Sequence, residues 1–169
     1  PPSRLEDLGL DDRVVSMLRE DWSIEELFPP QAEALPHALS GRNVMLTIPT
    51  ASGKSLIAYL AIVHRLTSDL EGARALYVVP LKALASEKAR ELRDIASSVG
   101  LRVGLAIGDR EGETGMLEEA DILVCTSEKL DSLLRTRSEL IDRVGIVVSD
   151  EFHLLHDPGR GPTLEVLLS

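Results

Sequence analysis

Between residues 43 and 149 the chain switches repeatedly between short apolar runs and longer segments with a helical rhythm. The runs NVMLTI (43–48), RALYVV (74–79), LRVGLAI (101–107), DILVCT (121–126) and VGIVVS (144–149) show little alternation of polar and apolar positions. That pattern suits strands covered on both faces rather than one. Between the first two lies GKSLIAYLAIVHRLTSDL (53–70), apolar on most sides and so expected as a buried helix. After the second, LKALASEKARELRDIASSVG places apolar residues at 81, 84, 85, 89, 92, 95, 96 and 99, the spacing of one helical face, with Gly100 as its C-terminal cap. SEKLDSLLR (127–135) adds a further helix. Strand, helix, strand in repetition predicts an α/β fold, a mostly parallel sheet with helices on both faces. No linker interrupts the pattern, so residues 1–169 are expected to form one domain.

Composition narrows the picture only a little. A chain of 169 residues with 44% apolar and 27% charged residues has the ordinary balance of a globular domain, which argues against disorder. The formal net charge of -10 gives no support to a freestanding nucleic-acid binder, because phosphate contacts need clustered Lys and Arg. Cys125 is the one cysteine; it sits in an apolar run, can form no internal disulfide, and fits a buried strand in a reducing compartment. No apolar run approaches the length of a membrane span and the N-terminus lacks the regions of a signal peptide, so a cytoplasmic location and no membrane partner are expected.

Ligands of parallel sheets bind at the carboxyl ends of the strands, so chemistry is to be sought in the loops that follow them. PTASGKS (49–55) joins the first strand directly to a helix start, the context a phosphate-binding loop requires. Backbone N–H groups of Ala51 to Ser55 can converge on phosphate oxygens at the positive end of the helix. Lys54 can reach the terminal phosphates, and the Ser55 hydroxyl is placed for Mg²⁺. Ile48 stands where a strict phosphate loop has its first Gly, leaving only Gly53. The alternative is a plain strand-to-helix loop with a capping Ser. Asp150 and Glu151 emerge together at the end of the VGIVVS strand. Phosphoanhydride hydrolysis needs a carboxylate for the metal and a group to orient water; Asp150 suits the first task and Glu151 the second. A solvated acidic turn is the alternative for this pair.

The segments PTASGKS, VVPLKALASEK, TSEK and DEFHLLHDPGRGPTLE, in this order, resemble the first RecA-like domain of superfamily 2 DExH-box helicases. The likeness is greatest to the archaeal Hjm-type DNA helicases and their Ski-type RNA relatives, and it runs from about Leu5 to the end. It implies a RecA-like P-loop NTPase fold, with residues 1–40 or so as a Q-motif region packed on it. It further implies ATP and Mg²⁺ as cofactors, held by Gln31, Pro49, Thr50, Ala51, Ser52, Gly53, Lys54 and Ser55, with Ser55 and Asp150 at the metal and Lys54, Asp150 and Glu151 catalytic. Within LFPPQAEAL, Gln31 would bond the adenine edge through both its amide donor and its acceptor, or else simply open a helix. Pro80, Leu81, Lys82, Gly108, Asp109, Thr126, Ser127 and Glu128 match strand-contacting motifs, with a helix cap as the alternative for the last three. His153 would couple the ATP site to a second RecA-like domain or to the family's Ser-Ala-Thr motif.

By the same resemblance the substrate is single-stranded or branched DNA, with 3′ to 5′ translocation and a role in repair or fork processing. An RNA helicase is the alternative, since contacts to sugar and phosphate choose weakly between the two. An ATP-binding regulatory module that unwinds nothing is another, and the acidic charge favours it. Lys82, Lys88, Arg90 and Arg93 make their segment locally basic, though the last three suit one solvated helix face. His37, His64 and His156 have no spacing for metal ligation. Aromatic residues, at 3%, are too few for a base-stacking platform, and Trp22 and Phe28 are expected to pack around the Q-motif segment. The resemblance also calls for a Ser-Ala-Thr strand between NVMLTI and VGIVVS, whereas TLEVLLS (163–169) reads as a helix. Either a gap between those strands or a strand from elsewhere is therefore expected, with weak nucleotide binding and no unwinding by these residues alone.

Overall fold

The structure is a computed structural model that describes residues 1–40, 44–46, 51–108, 117–150 and 165–168, with the backbone alone for 44–46, 51, 52 and 165–168. Six strands, β1 (Val44–Leu46), β2 (Arg74–Val79), β3 (Val103–Ala106), β4 (Ile122–Thr126), β5 (Val144–Ser149) and β6 (Glu165–Leu168), form one sheet in the order β1-β6-β5-β2-β4-β3. Every pairing is parallel, so all carboxyl ends share one edge. Among the described residues they are accompanied by α1 (Asp12–Trp22), α2 (Pro29–Leu39), α3 (Ala51–Leu66), α4 (Lys82–Ser97) and α5 (Ser127–Arg135).

The uninterrupted apolar runs are explained by a sheet covered on both sides. Along β2, Ala75, Tyr77 and Val79 face one apolar cluster, which includes α1, α2, α3 and α4. Leu76 and Val78 face the other, with Leu133 of α5 and Leu140. All six residues of β2 are buried. Free Cys125 is buried in the second cluster, as its apolar run implied. Helix α3 is buried along nearly its whole length, whereas α4 buries the stripe of Ala85, Ala89, Leu92, Ile95 and Ala96. The expected cap of α4 forms: Gly100 adopts φ 77° and the Leu101 N–H returns to the Ala96 carbonyl at 3.0 Å. A side chain with a Cβ would be strained in that left-handed conformation.

Arg74, at the start of β2, is among the largest fully buried side chains of the described residues. Its guanidinium donates to the carbonyls of Ala120 (2.9 Å), Leu140 (2.8 Å), Leu117 (3.2 Å) and Glu118 (2.7 Å), tying the β3–β4 and α5–β5 connections to the start of β2. Burial pulls its pKa down, and the fixed fork of donors compensates for the lost water.

One expectation fails at the strand between β1 and β5. Glu165–Leu168, read from sequence within a helix, is strand β6, pairing with β1 through Val44 and Val166 and with β5 through Val148 and Val166. EVLL is too short to display a helical period, and the facing backbone groups of β1 and β5 need partners. The position is thus filled by a strand from elsewhere in the chain, and β1 and β5 do not pair directly.

Candidate functional site

Five of the loops at the carboxyl edge carry the residues that the sequence singled out. On the first of them, α3 begins at Ala51. The first four N–H groups of a helix have no partner within it, so this turn presents donors at the positive end of the helix dipole. Gly53 is buried there, and its carbonyl accepts from Gln31 Nε2 at 3.0 Å. Gln31 itself is only 4% exposed. Its Oε1 accepts from the Phe28 N–H at 2.8 Å, capping α2. The amide therefore ties the start of α2 to the start of α3, and a remaining N–H and lone pair are left for a ligand. Beside it a cleft of about 410 Å³ is lined by Phe28, Gln31, Gly53, Leu56 and Arg90 among others.

Asp150 follows β5 and is brought back to this helix start. Its N–H donates to the Val78 carbonyl at 2.8 Å, which extends the β2–β5 ladder by a residue, and Tyr77 Oη donates to its Oδ2 at 3.2 Å. Burial raises the carboxyl above the ordinary range, while the Lys88 ammonium, the Tyr77 hydroxyl and the Lys54 ammonium pull it back. Residues nearly a hundred positions apart in sequence, Lys54 and Asp150, thus feel each other's charge. The Ser55 hydroxyl, 1% exposed, accepts from Lys88 Nζ at 2.7 Å. Glu91 stands 3.8 Å from the same ammonium, its carboxyl raised by burial and lowered by Lys88. Tyr59 and Tyr77 close the floor with their rings 5.6 Å apart, both hydroxyls held far above their usual range by burial.

A hydroxyl and a carboxylate are hard oxygen donors, the kind Mg²⁺ takes, and with the helix N-terminus they match a magnesium-bound polyphosphate. No cluster of three or more His, Cys, Asp or Glu that would hold a metal by itself occurs among the described residues. The donor set fits a cation bound jointly with a ligand's phosphates.

The remaining loops lie on the adjacent strands β2, β4 and β3. Pro80, Leu81 and Lys82 are exposed, Leu81 at 62%. Ser127 Oγ donates to the Val79 carbonyl at 3.3 Å, and Lys129 Nζ donates to the Gly108 carbonyl at 2.8 Å, so the three loops are stitched into one rim. Thr126 is buried, and its hydroxyl accepts from the Lys129 N–H at 3.2 Å as the cap of α5; Glu128 is exposed. Pro49, Thr50, Asp109, Glu151 and His153 lie outside the described residues, and so do the side chains of Ala51 and Ser52.

Two expectations are corrected here. Lys88 is not on the solvated face of α4 with the exposed Arg90 and Arg93; its side chain is 8% exposed and turned into the site. Its position three residues after Ala85 and four before Leu92, on the apolar stripe, was the available signal. Phe28 does not pack around the Q-motif segment but is 69% exposed at the rim of the cleft, while Trp22 is partly buried against the core.

The profile of the family described as DEAD/DEAH box helicase matches residues 28–169. The chain is 47% identical over 167 residues to the ATP-dependent DNA helicase Hel308 of Pyrococcus horikoshii, a match covering 98% of this chain and 23% of that protein. It is 48% identical over 151 residues to the ATP-dependent DNA helicase Hel308 of Methanocella arvoryzae, covering 86% and 20%. The chain thus spans less than a quarter of the length of these relatives. Among solved structures it is similar to the RNA helicase Prp28 from Chaetomium thermophilum bound to ADP, with a TM-score of 0.78 at 24% identity over 99% of this chain and 45% of that one. It is also similar to S. cerevisiae Dbp5 bound to RNA and ADP BeF3, with a TM-score of 0.80 at 19% identity over 99% and 46%. At these identities the structural likeness bears on the fold alone. No described helix is long and apolar enough to cross a membrane.

Proposed function

The chain belongs to the DEAD/DEAH box helicase family, and from that premise we propose that it is the ATP-binding motor domain of a cytoplasmic DNA helicase that moves 3′ to 5′ along single-stranded or branched DNA in repair or fork processing. The observation that carries the reading is the meeting of Lys54 and Ser55, at the start of α3, with Asp150 at the end of β5. Such a convergence has little structural purpose in a domain that could bury apolar groups there instead. Similarity to proteins named DNA helicases, at 47% and 48% identity, supports DNA over RNA as the substrate.

In this reading the N–H groups of residues 51–55 cradle the phosphates, with Pro49 and Thr50 leading into the loop. Lys54 offsets the charge of the terminal phosphates, and Ser55 and Asp150 hold the cation. Held there, Mg²⁺ would supply positive charge against the developing phosphate charge. Glu151 orients the attacking water. Gln31 offers its free N–H and lone pair to the purine edge in the cleft beside Phe28, whose size is that of a small-ligand pocket. Pro80, Leu81, Lys82, Gly108, Asp109 and residues 126–128 form the rim that meets the strand, chiefly through backbone and phosphate contacts. The rim shares helix α4 and strand β2 with the nucleotide site. His153 couples the site to a second RecA-like domain, which supplies the cationic groups that phosphoryl transfer needs.

Single-turnover ATP hydrolysis by the full-length protein tests this, with single-stranded DNA, single-stranded RNA or neither. Mg²⁺-dependent hydrolysis accelerated more by DNA than by RNA is the expected result. Bound ATP whose hydrolysis responds to neither nucleic acid would instead indicate a regulatory module.

A further inference from the structure

The least expected group in the site is the ammonium of Lys88. It belongs to α4, it is buried, and it lies 2.7 Å from the Ser55 hydroxyl oxygen and 3.8 Å from a Glu91 carboxylate oxygen. Taking an ammonium out of water is costly unless nearby groups compensate. A lysine stem four carbons long could have carried this charge to the surface, as the neighbouring Arg90 and Arg93 do. Instead it is held among Ser55, Glu91 and Asp150, and it acts on both carboxylates.

Ser55 and Asp150 are also the two side chains that would hold the divalent cation. An Mg²⁺–oxygen bond is about 2.1 Å long. A cation bound to Ser55 Oγ while Lys88 still donates to that oxygen would stand roughly 4 Å from the Nζ, two like charges in a site with little water to screen them. The two cannot both be accommodated at full strength on one hydroxyl.

We propose that the Lys88 ammonium is an internal rival of the divalent cation at Ser55 and Asp150, and that it sets how much Mg²⁺ the site requires before it fills. The inference rests on the ATP and Mg²⁺ reading above. Lys88 serves here as a positioning residue with two opposed effects. Without Mg²⁺ its charge offsets Asp150 and Glu91, which would otherwise repel a nucleotide's phosphates. With Mg²⁺ it must give way, and that displacement raises the concentration needed.

Neutralising Lys88 should therefore move two quantities in opposite senses. Binding of a fluorescent ADP analogue to the full-length protein is measured across a series of MgCl₂ concentrations and in EDTA, for the parent, Lys88→Met and Lys88→Gln. Gln, one atom shorter, keeps an N–H donor but carries no charge, so it separates charge from polarity and serves if Met at this position disturbs folding. Both variants are expected to reach half-maximal Mg²⁺ stimulation at a concentration at least about threefold lower than the parent, and to bind the analogue at least about threefold more weakly in EDTA, the effect of one partly screened charge. Equal weakening with and without Mg²⁺ would mean a structural role only and would overturn the inference. Half-maximal concentrations unchanged in both variants would overturn it too, leaving the nucleotide site intact. If the parent itself shows no response to Mg²⁺, the reading of the site and the inference fall together.

Discussion

Gln31 joins the two helices that begin at the site, and its removal has a cost that can be worked out from the contacts. Gln31→Ala deletes the acceptor for the Phe28 N–H, a helix-capping interaction worth about 1 kcal/mol. It also deletes the donor to the Gly53 carbonyl, in a position 4% exposed, where an abandoned buried acceptor costs roughly 1–3 kcal/mol. Together these give a loss of about 2–4 kcal/mol, or roughly 4–16 °C in Tm for a domain of this size. Urea unfolding followed by far-UV circular dichroism measures it. Gln31→Glu keeps the acceptor and turns the donor into a carboxylate facing a carbonyl, so it should lose at least as much at neutral pH. A Gln31→Ala protein within about 0.5 kcal/mol of the parent would refute the tether, since that is the range of a surface substitution. The same variant should discriminate less between ATP and GTP, because the purine edge loses its partner; unchanged discrimination would leave Gln31 with the tether alone.

Arg74→Met should destabilise the chain by about 2–4 kcal/mol, since four carbonyls lose a charged donor, and Arg74→Lys should recover only part of this because one ammonium cannot span the fork; chemical denaturation showing a loss below about 0.5 kcal/mol would count against the role. Asp150→Asn should stabilise the ligand-free protein at neutral pH while removing Mg²⁺-dependent hydrolysis. Burial raises the Asp150 carboxyl in the folded state, so the ionised group weakens the fold above that raised pKa and costs nothing below the unfolded one. The gain from Asn should accordingly fade as pH falls through the raised value, and a gain that persists or grows on acidification would contradict the assignment.

Sequence pattern recovered most of the architecture because a doubly covered parallel sheet writes itself plainly. RALYVV and VGIVVS coincide with β2 and β5, and SEKLDSLLR with α5. EVLL was misread because a four-residue segment is too short to carry a period, and its strand state depends on partners far away in sequence. The site was legible where chemistry is local: GKS after a strand, and an acid at a strand end. Lys88 was missed because residue type outweighed position; a lysine on an apolar stripe reads as solvated until a buried hydroxyl and carboxylate are seen to meet it. Phe28 was missed in the opposite direction, an aromatic assumed inside that stands at the rim of the cleft.

The central claim is that the start of α3 and the end of β5 make one nucleotide site, and Lys54 tests it most directly. Lys54 is half-buried, its charge acts on Asp150, and it sits on the first turn of α3. Titration of the full-length protein with a fluorescent ATP analogue should show Lys54→Ala losing at least about tenfold in affinity, about 1.4 kcal/mol, with its unfolding midpoint unchanged. Binding undiminished in the variant would contradict the account, because a phosphate loop whose lysine does not feel the phosphates is an ordinary connection between a strand and a helix.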